Sequence, residues 1–402
     1  MSLIGPPQRG TQGKGGPRRQ ENNKIYAYPI PLLFRPPTEH RHWSPHRVLG
    51  LFGISGISIE NPHCEGVFDL ATKSIWVTNQ KDAMILWRRG FFGKGDLSRS
   101  EPSWYTRQIN AHKAAGKSLT SEEIREKRRA ERKQFKLDRA RAMAEAAAEA
   151  EAAFAEGRQA SVVAIPSGAT WKAQHTSVTD TSEPVLQAAT DVTEEDAEEV
   201  ESLDDVEHLQ LTLQETFFLL WNFDCLTVLN PLSHEPFSFK ETWTTFQQAH
   251  WPPGPQAALS AIFSDRFDNP FLVNYVAYHY YRSLGWVVKG GIKFCVDLLL
   301  YKRGPVFQHA EFAIVVVPEY EDPEDKKTSP FMLNNSEPFT WSWLSTINRV
   351  NAQVQKTLIL TYVTIPARSR INPALTSSPA CLAHYSVRDV VLRRFIPARM
   401  RD

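Results

Sequence analysis

The chain has 402 residues, 42% of them hydrophobic, which is enough for two or three domains with sizeable cores, and its formal charge of +1 hides strong local segregation of basic and acidic blocks. Cys64, Cys225, Cys295 and Cys381 are far apart and form no CxxC pair, which argues against a zinc ribbon or a disulfide framework and fits a reducing compartment. No apolar run approaches the roughly 18 residues of a membrane span, and the Gly/Pro/Arg-rich start MSLIGPPQRGTQGKGGPRRQ lacks the apolar stretch of a secretory signal, so the expectation is a soluble, intracellular protein.

Residues 1–23 read as disordered and 24–108 as a small α+β domain. Within it CEGVFDLATKSIWVT (64–78) predicts strands, and KDAMILWRRG (81–90) predicts a short helix closed by a glycine. Residues 109–208 form a charged, low-complexity linker. Its segment 121–157 is built of strong helix formers, with Ile124, Phe135, Leu137 and Met143 too sparse for a core-facing stripe. Nine basic residues lie between Arg125 and Arg141, and ten acidic ones between Asp191 and Glu207. The plain reading is a solvated, self-repelling linker. The alternative is a basic block that touches RNA backbone and an acidic block that keeps the rest of the linker away from it.

A helical subdomain is expected over 209–284: one helix across LQLTLQETFFLLWNFDCLTVL (209–229), another over 237–250 before the WPPGP breaker, and an amphipathic helix over 269–285. Strands follow at 285–291, 292–303, 309–318, 356–366 and 386–397, with a helix at 341–354. A long helix feeding a mixed sheet with one crossover helix makes 285–402 an α/β, restriction-endonuclease-like nuclease module, so the fold class is α/β (α+β).

Tyr301 and His309 flank a Lys-Arg-Gly-Pro turn, and Lys356 opens the apolar strand KTLILTYV. Together a tyrosine, a histidine and a lysine are able to cleave RNA without a metal. One group takes the 2′-hydroxyl proton, one protonates the leaving 5′-oxygen, and one neutralises the crowded phosphate. A histidine with its ordinary pKa of about 6.5 is protonated often enough to serve as an acid. A phenol titrating near about 10 needs positive neighbours to serve as a base, and Lys302, Arg303 and Lys356 are the expected sources. Tyr301 acting mainly to orient the 2′-hydroxyl stays open.

A rival chemistry would use Asp297 with Mg²⁺, as many restriction-like nucleases do, but no second carboxylate follows at a suitable spacing, so Asp297 is read as structural. GFFGKG (90–95) lacks the order of a phosphate loop and is read as a basic turn that touches RNA or a partner. Tyr278, His279 and Tyr280 are read as core or interface residues, and Lys289, Lys293, Lys302 and Arg303 as RNA-backbone contacts.

The ordered pieces FLVNYVAYHYYRSLGW, GIKFCVDLLLYKRGP, HAEFAI and the lysine of KTLILTYV resemble the catalytic subunits of the tRNA-splicing (tRNA-intron) endonuclease. GFFGKGDLSRSEP (90–102) and VRDVVLRRFIPAR (387–399) resemble the subunit that cuts the 5′ splice site rather than its 3′-cutting paralogue. The resemblance implies a four-subunit complex with one other catalytic and two structural subunits, a precursor-tRNA substrate, and 2′,3′-cyclic phosphate and 5′-hydroxyl products. It implies no metal or other cofactor. It also implies Tyr301 as general base, His309 as general acid, Lys356 as stabiliser of the transition state, and an RNA-base clamp from Arg349 and Phe395 that serves the partner's cut. Phe395 stands where the family has tryptophan, a stronger cation partner. The alternatives are a non-catalytic scaffold of the same complex and a metal-dependent nuclease. The basic runs point to a nuclear address, with the cytosolic face of the mitochondrial outer membrane as the alternative.

Overall fold

The computed structural model describes residues 5–7, 17–35, 58–98, 100–115, 121–156 and 205–393. The chain divides into two compact units, one made of 1–104 with 206–402 and the other of 105–205.

The first unit opens with helix α1 (Pro17–Ile25), part of which falls in the stretch expected to be disordered. A small antiparallel pair follows, β1 (Leu33–Arg35) with β2 (Ser58–Glu60). Next come β3 (Cys64–Asp69), β4 (Ser74–Val77), α2 (Gln80–Arg88) and the two-residue β5 (Lys94–Gly95). Asn79 starts α2 by accepting from the Lys81 amide at 2.9 Å. Two helices follow in chain order, α3 (Trp104–Ala115) and the 36-residue α4 (Ser121–Glu156).

The stretch 209–229 is not one helix. It is β6 (Leu209–Thr212), α5 (Leu213–Phe223) and β7 (Leu226–Leu229). Thr212 and Glu215 form a capping box that starts α5, and Asp224 in the left-handed region ends it. Both strands join the N-terminal strands in one sheet, ordered β5-β6-β4-β3-β7, with β7 parallel to β3. Residues 64–95 and 209–229 are thus one structural layer, and the expected border at 209 runs through a sheet.

Helices α6 (Phe239–Gln248), α7 (Gln256–Phe263) and α8 (Pro270–Ser283) lead to the second sheet. Asn269 caps α8, and Pro270 fills the first turn, where its missing N–H costs nothing. The second sheet contains β8 (Val287–Gly290), β9 (Leu298–Tyr301), β10 (Phe312–Tyr320), β11 (Thr357–Ile365) and β12 (Ser386–Leu392). Their order is β12-β11-β10-β9-β8, and only β10 and β11 run parallel. A short α9 (Pro323–Lys327) and α10 (Trp341–Gln353) fill the crossover between the parallel pair. The single strand expected over 292–303 is interrupted: Ile292–Phe294 is a 3₁₀ turn, and Cys295 has φ +55°.

The central strands are buried on both faces, as a crossover sheet requires. Ile314, Val316, Ile359 and Val363 face the core that holds Phe271, Tyr275 and Tyr281 of α8. Ala313, Val315, Leu358 and Leu360 face Leu344 and Ile347 of α10. The architecture is mixed α+β, and no described helix is long and apolar enough to cross a membrane.

Candidate active site

The three chemistry-bearing residues meet at one end of the second sheet. Tyr301 is the last residue of β9, and its neighbour Leu300 pairs with Phe312 at the start of antiparallel β10. Lys356 immediately precedes Thr357, which pairs with the same Phe312 from the parallel side. His309 lies three residues before Phe312, at the end of the turn that leaves Tyr301. Backbone bonds pin this corner: the Glu311 amide donates to Leu300 O at 2.9 Å, and the Thr357 amide to Glu311 O at 3.0 Å. The topology thus brings 301, 309 and 356 together although 55 residues separate the first from the last.

His309 is exposed, as a group that must reach a substrate should be. Lys356 is only 8% exposed, and its ammonium sits 4.4 Å above the centre of the Phe294 ring. Burial pushes the Lys356 pKa below its ordinary value. Asn351 on α10 fixes the approach to it, accepting from the Lys356 amide at 3.0 Å through its carbonyl while its side chain donates to Phe294 O at 3.2 Å.

Tyr301 is half-buried, and burial raises its phenol rather than lowering it. The expected positive neighbours are otherwise engaged. Lys302 pairs with Glu311 at 3.5 Å, and Arg303 donates to Asn23 Oδ1 at 3.0 Å while stacking 4.0 Å over Phe307. Burial therefore keeps Tyr301 a neutral phenol at neutral pH.

Lys289 corrects another expectation. It is not an RNA contact but an enclosed cation: its ammonium donates to Gly93 O at 2.5 Å, pairs with Glu215 at 3.2 Å and lies 5.1 Å from the Trp87 ring centre. Burial lowers its pKa, with Glu215 opposing that shift. GFFGKG is likewise an internal anchor: Phe91, Phe92 and Gly93 are buried and only Lys94 is exposed. Arg282 donates to Gly90 O at 2.6 Å and stacks 4.1 Å over Phe92. Alternation along β8 gives no sign of this, because the partners lie on helices α2 and α5 and at Gly93, all distant in sequence.

Asp297 is turned into the fold, accepting from the Val316 amide at 2.8 Å, and burial raises its pKa. Lys293 and Arg349 are exposed, the latter on α10. Phe395 lies outside the described residues. Tyr278 is buried, and Tyr280 donates to Asp389 at 3.0 Å, so both serve packing.

Residues 271–371 match the family described as "tRNA intron endonuclease, catalytic C-terminal domain", which covers α8, the corner and the parallel pair. The fold and this match define an endoribonuclease domain of the tRNA-intron type. The chain is 33% identical over 422 aligned residues to "Probable tRNA-splicing endonuclease subunit sen2" of Schizosaccharomyces pombe, covering 95% of this chain and 100% of the relative. It is 32% identical over 346 residues to SEN2 of Eremothecium gossypii, with 81% and 83% covered, and 28% identical over 414 residues to SEN2 of Saccharomyces cerevisiae, with 95% and 98% covered. The chain belongs to the Sen2 family of tRNA-splicing endonuclease subunits.

Proposed function

We propose that this subunit makes the 5′ splice-site cut in precursor tRNA by metal-independent transesterification. What supports this reading is the strand register, which puts the backbone positions of 301 and 356 on either side of the start of β10 with 309 just before it. In its ionised form Tyr301 takes the 2′-hydroxyl proton onto the phenolate oxygen as the 2′-oxygen attacks the adjacent phosphorus. The imidazolium of His309 protonates the departing 5′-oxygen, and Lys356 neutralises the charge that builds on the phosphate. The bond to the 5′-oxygen breaks as the 2′-oxygen bond forms, leaving a 2′,3′-cyclic phosphate and a 5′-hydroxyl.

Burial disfavours that phenolate, so general-base action draws on a small ionised fraction, and the alternative is that Tyr301 mainly orients the 2′-hydroxyl. Lys293, Lys302 and Arg303 would contact the RNA backbone at the edge, and Arg349 with Phe395 would clamp a bulged base for the partner's 3′ cut. The partners are one other catalytic subunit and two structural ones in a heterotetramer, and the compartment is the nucleus.

The test is cleavage of an intron-containing precursor tRNA by the assembled complex in EDTA, with wild-type and His309→Ala chains side by side. Loss of the 5′ cut alone by roughly 10²–10⁴-fold, with EDTA harmless, is the expected result. Normal 5′ cutting by the variant moves the scaffold reading forward, and inhibition by EDTA moves the metal-dependent one forward.

A further inference from the structure

Most of the basic block of 125–141 falls on one face of its helix. Helix α4 has 36 residues, about 54 Å at 1.5 Å per residue. At 100° per residue, positions 125, 128, 129, 132, 136 and 139 fall within an arc of about 100°. These are Arg125, Arg128, Arg129, Arg132, Lys136 and Arg139, six of the nine basic residues of the block. The acidic residues of the same stretch, Glu126, Glu131 and Asp138, all fall outside that arc.

Arg129, Lys136 and Arg139 are exposed and make no ion pair with a described residue. Arg141, on the opposite side of the helix, does pair, with Glu145 at 3.1 Å. Like charges at i,i+4, such as Arg128 with Arg132 and Arg132 with Lys136, work against the helix that carries them. A linker that only needed to stay solvated would gain from interleaved signs on every face. This one sorts them.

We propose that this stripe is a docking surface for the phosphate backbone of structured RNA. Its length from residue 125 to residue 139, about 21 Å, presents a row of cations to a polyanion. Guanidinium groups, which form five of the six positions, match phosphate geometry better than ammonium does. The surface reads charge and shape, not sequence, so it holds RNA non-specifically while cutting is decided at the sheet corner. The inference rests on the reading that precursor tRNA is the substrate.

The test uses the complex assembled on the full-length chain, with mature tRNA as probe because it carries no intron to cut. Binding is titrated against KCl for wild type, for Arg132→Gln with Lys136→Gln on the stripe, and for Lys127→Gln with Arg141→Gln off it. The two variants lose equal charge, and glutamine keeps the helix propensity. The stripe pair should reduce the slope of log K against log salt by roughly 1.5 and weaken low-salt binding on the order of tenfold. The off-stripe pair should do less than half of this. Cleavage of precursor tRNA by the off-stripe pair should stay at the wild-type rate, and for the stripe pair the loss should appear in KM with the ratio of 5′ to 3′ cutting unchanged, which separates failure of the stripe from failure of the catalytic assignment. Unchanged slopes, or equal losses for the two pairs, overturn the proposal. So does an unchanged slope with a lost subunit, which would give the stripe to an acidic protein segment, the chain's own 191–207 included.

Discussion

The ring of Phe91 occupies the space that a side chain at Gly304 would need. Phe91 is itself held in the left-handed region at φ +59°, and Gly304 has φ +127°, which side-chain-bearing residues avoid. The ring stacks on Tyr26 at 5.1 Å and meets Trp87 edge-on at 5.6 Å, within a cluster that also packs against Tyr301, Val306 and Phe307. Elements near the N-terminus therefore brace the turn that separates Tyr301 from His309. Shaping this corner is a task shared between two distant parts of the sequence.

If the corner makes the 5′ cut as proposed, Gly304→Ala should slow it. The new methyl meets the Phe91 ring, and the backbone angle costs about 1–3 kcal/mol, so the turn shifts and His309 moves with it. The 3′ cut in the same complex is the internal control and should be much less affected. Wild-type 5′ rates in Gly304→Ala would show that the turn tolerates displacement.

Lys289→Met should destabilise the fold and leave the salt dependence of RNA binding unchanged. Removing the ammonium takes the counter-charge from the buried Glu215 carboxylate, which keeps its neutral donors, the Gly93 amide at 3.1 Å and the Thr212 amide at 3.1 Å and hydroxyl at 3.2 Å. Breaking such a pair costs about 3–5 kcal/mol. Urea unfolding reads that loss, and Lys289→Met with Glu215→Gln should recover part of it. A reduced salt slope in Lys289→Met would restore it as an RNA contact.

Long periodic segments made much of the fold legible: α8, α10, β10 and β11 all announce themselves by apolar spacing and length. Tyr301, His309 and Lys356 stand out as residue types, and strand order brings their backbone positions to one end of the sheet. What failed was non-local. The 209–229 run looked like one helix because its apolar content is continuous, although the Thr212-x-x-Glu215 capping box was a readable start signal. That β6 and β7 complete a sheet begun at residue 64 depends on pairing across more than a hundred positions, which no local period encodes. Lys289 failed for the same reason, since its carboxylate partner lies 74 residues away in sequence.

Stability should fall in mild acid through His250. Burial, assisted by Lys73, lowers its pKa from about 6.5 to about 4, and its Nε2 is buried without a hydrogen-bond partner. The unfolded chain therefore binds the proton more readily between these values, and stability rises with pH across that window. Full stability is expected above the unfolded value, with a loss of about 2 kcal/mol by pH 5 from this residue. His250→Leu should flatten that part of the stability–pH curve in urea titrations at pH 7.5 and 5. An unchanged curve would place the acid sensitivity elsewhere.

Arg349→Ala should separate the two cuts in the opposite sense to His309→Ala. Arg349 is exposed on α10 and takes part in none of the bonds described at the corner, which join Glu311 to Leu300 and Thr357 and, from Asn351 two residues on, reach the Lys356 amide and Phe294 O. Truncating it leaves Tyr301, His309 and Lys356 in place, so the 5′ rate should stay within about twofold of wild type. If Arg349 clamps a bulged base for the partner's active site, the 3′ rate falls on the order of tenfold, and Arg349→Lys recovers little, because an ammonium cannot stack its plane on a base. Single-turnover rates at the two junctions of one precursor measure both at once. A 5′ rate that falls with the 3′ rate intact would place Arg349 in its own subunit's site, and the shared-clamp reading would be abandoned.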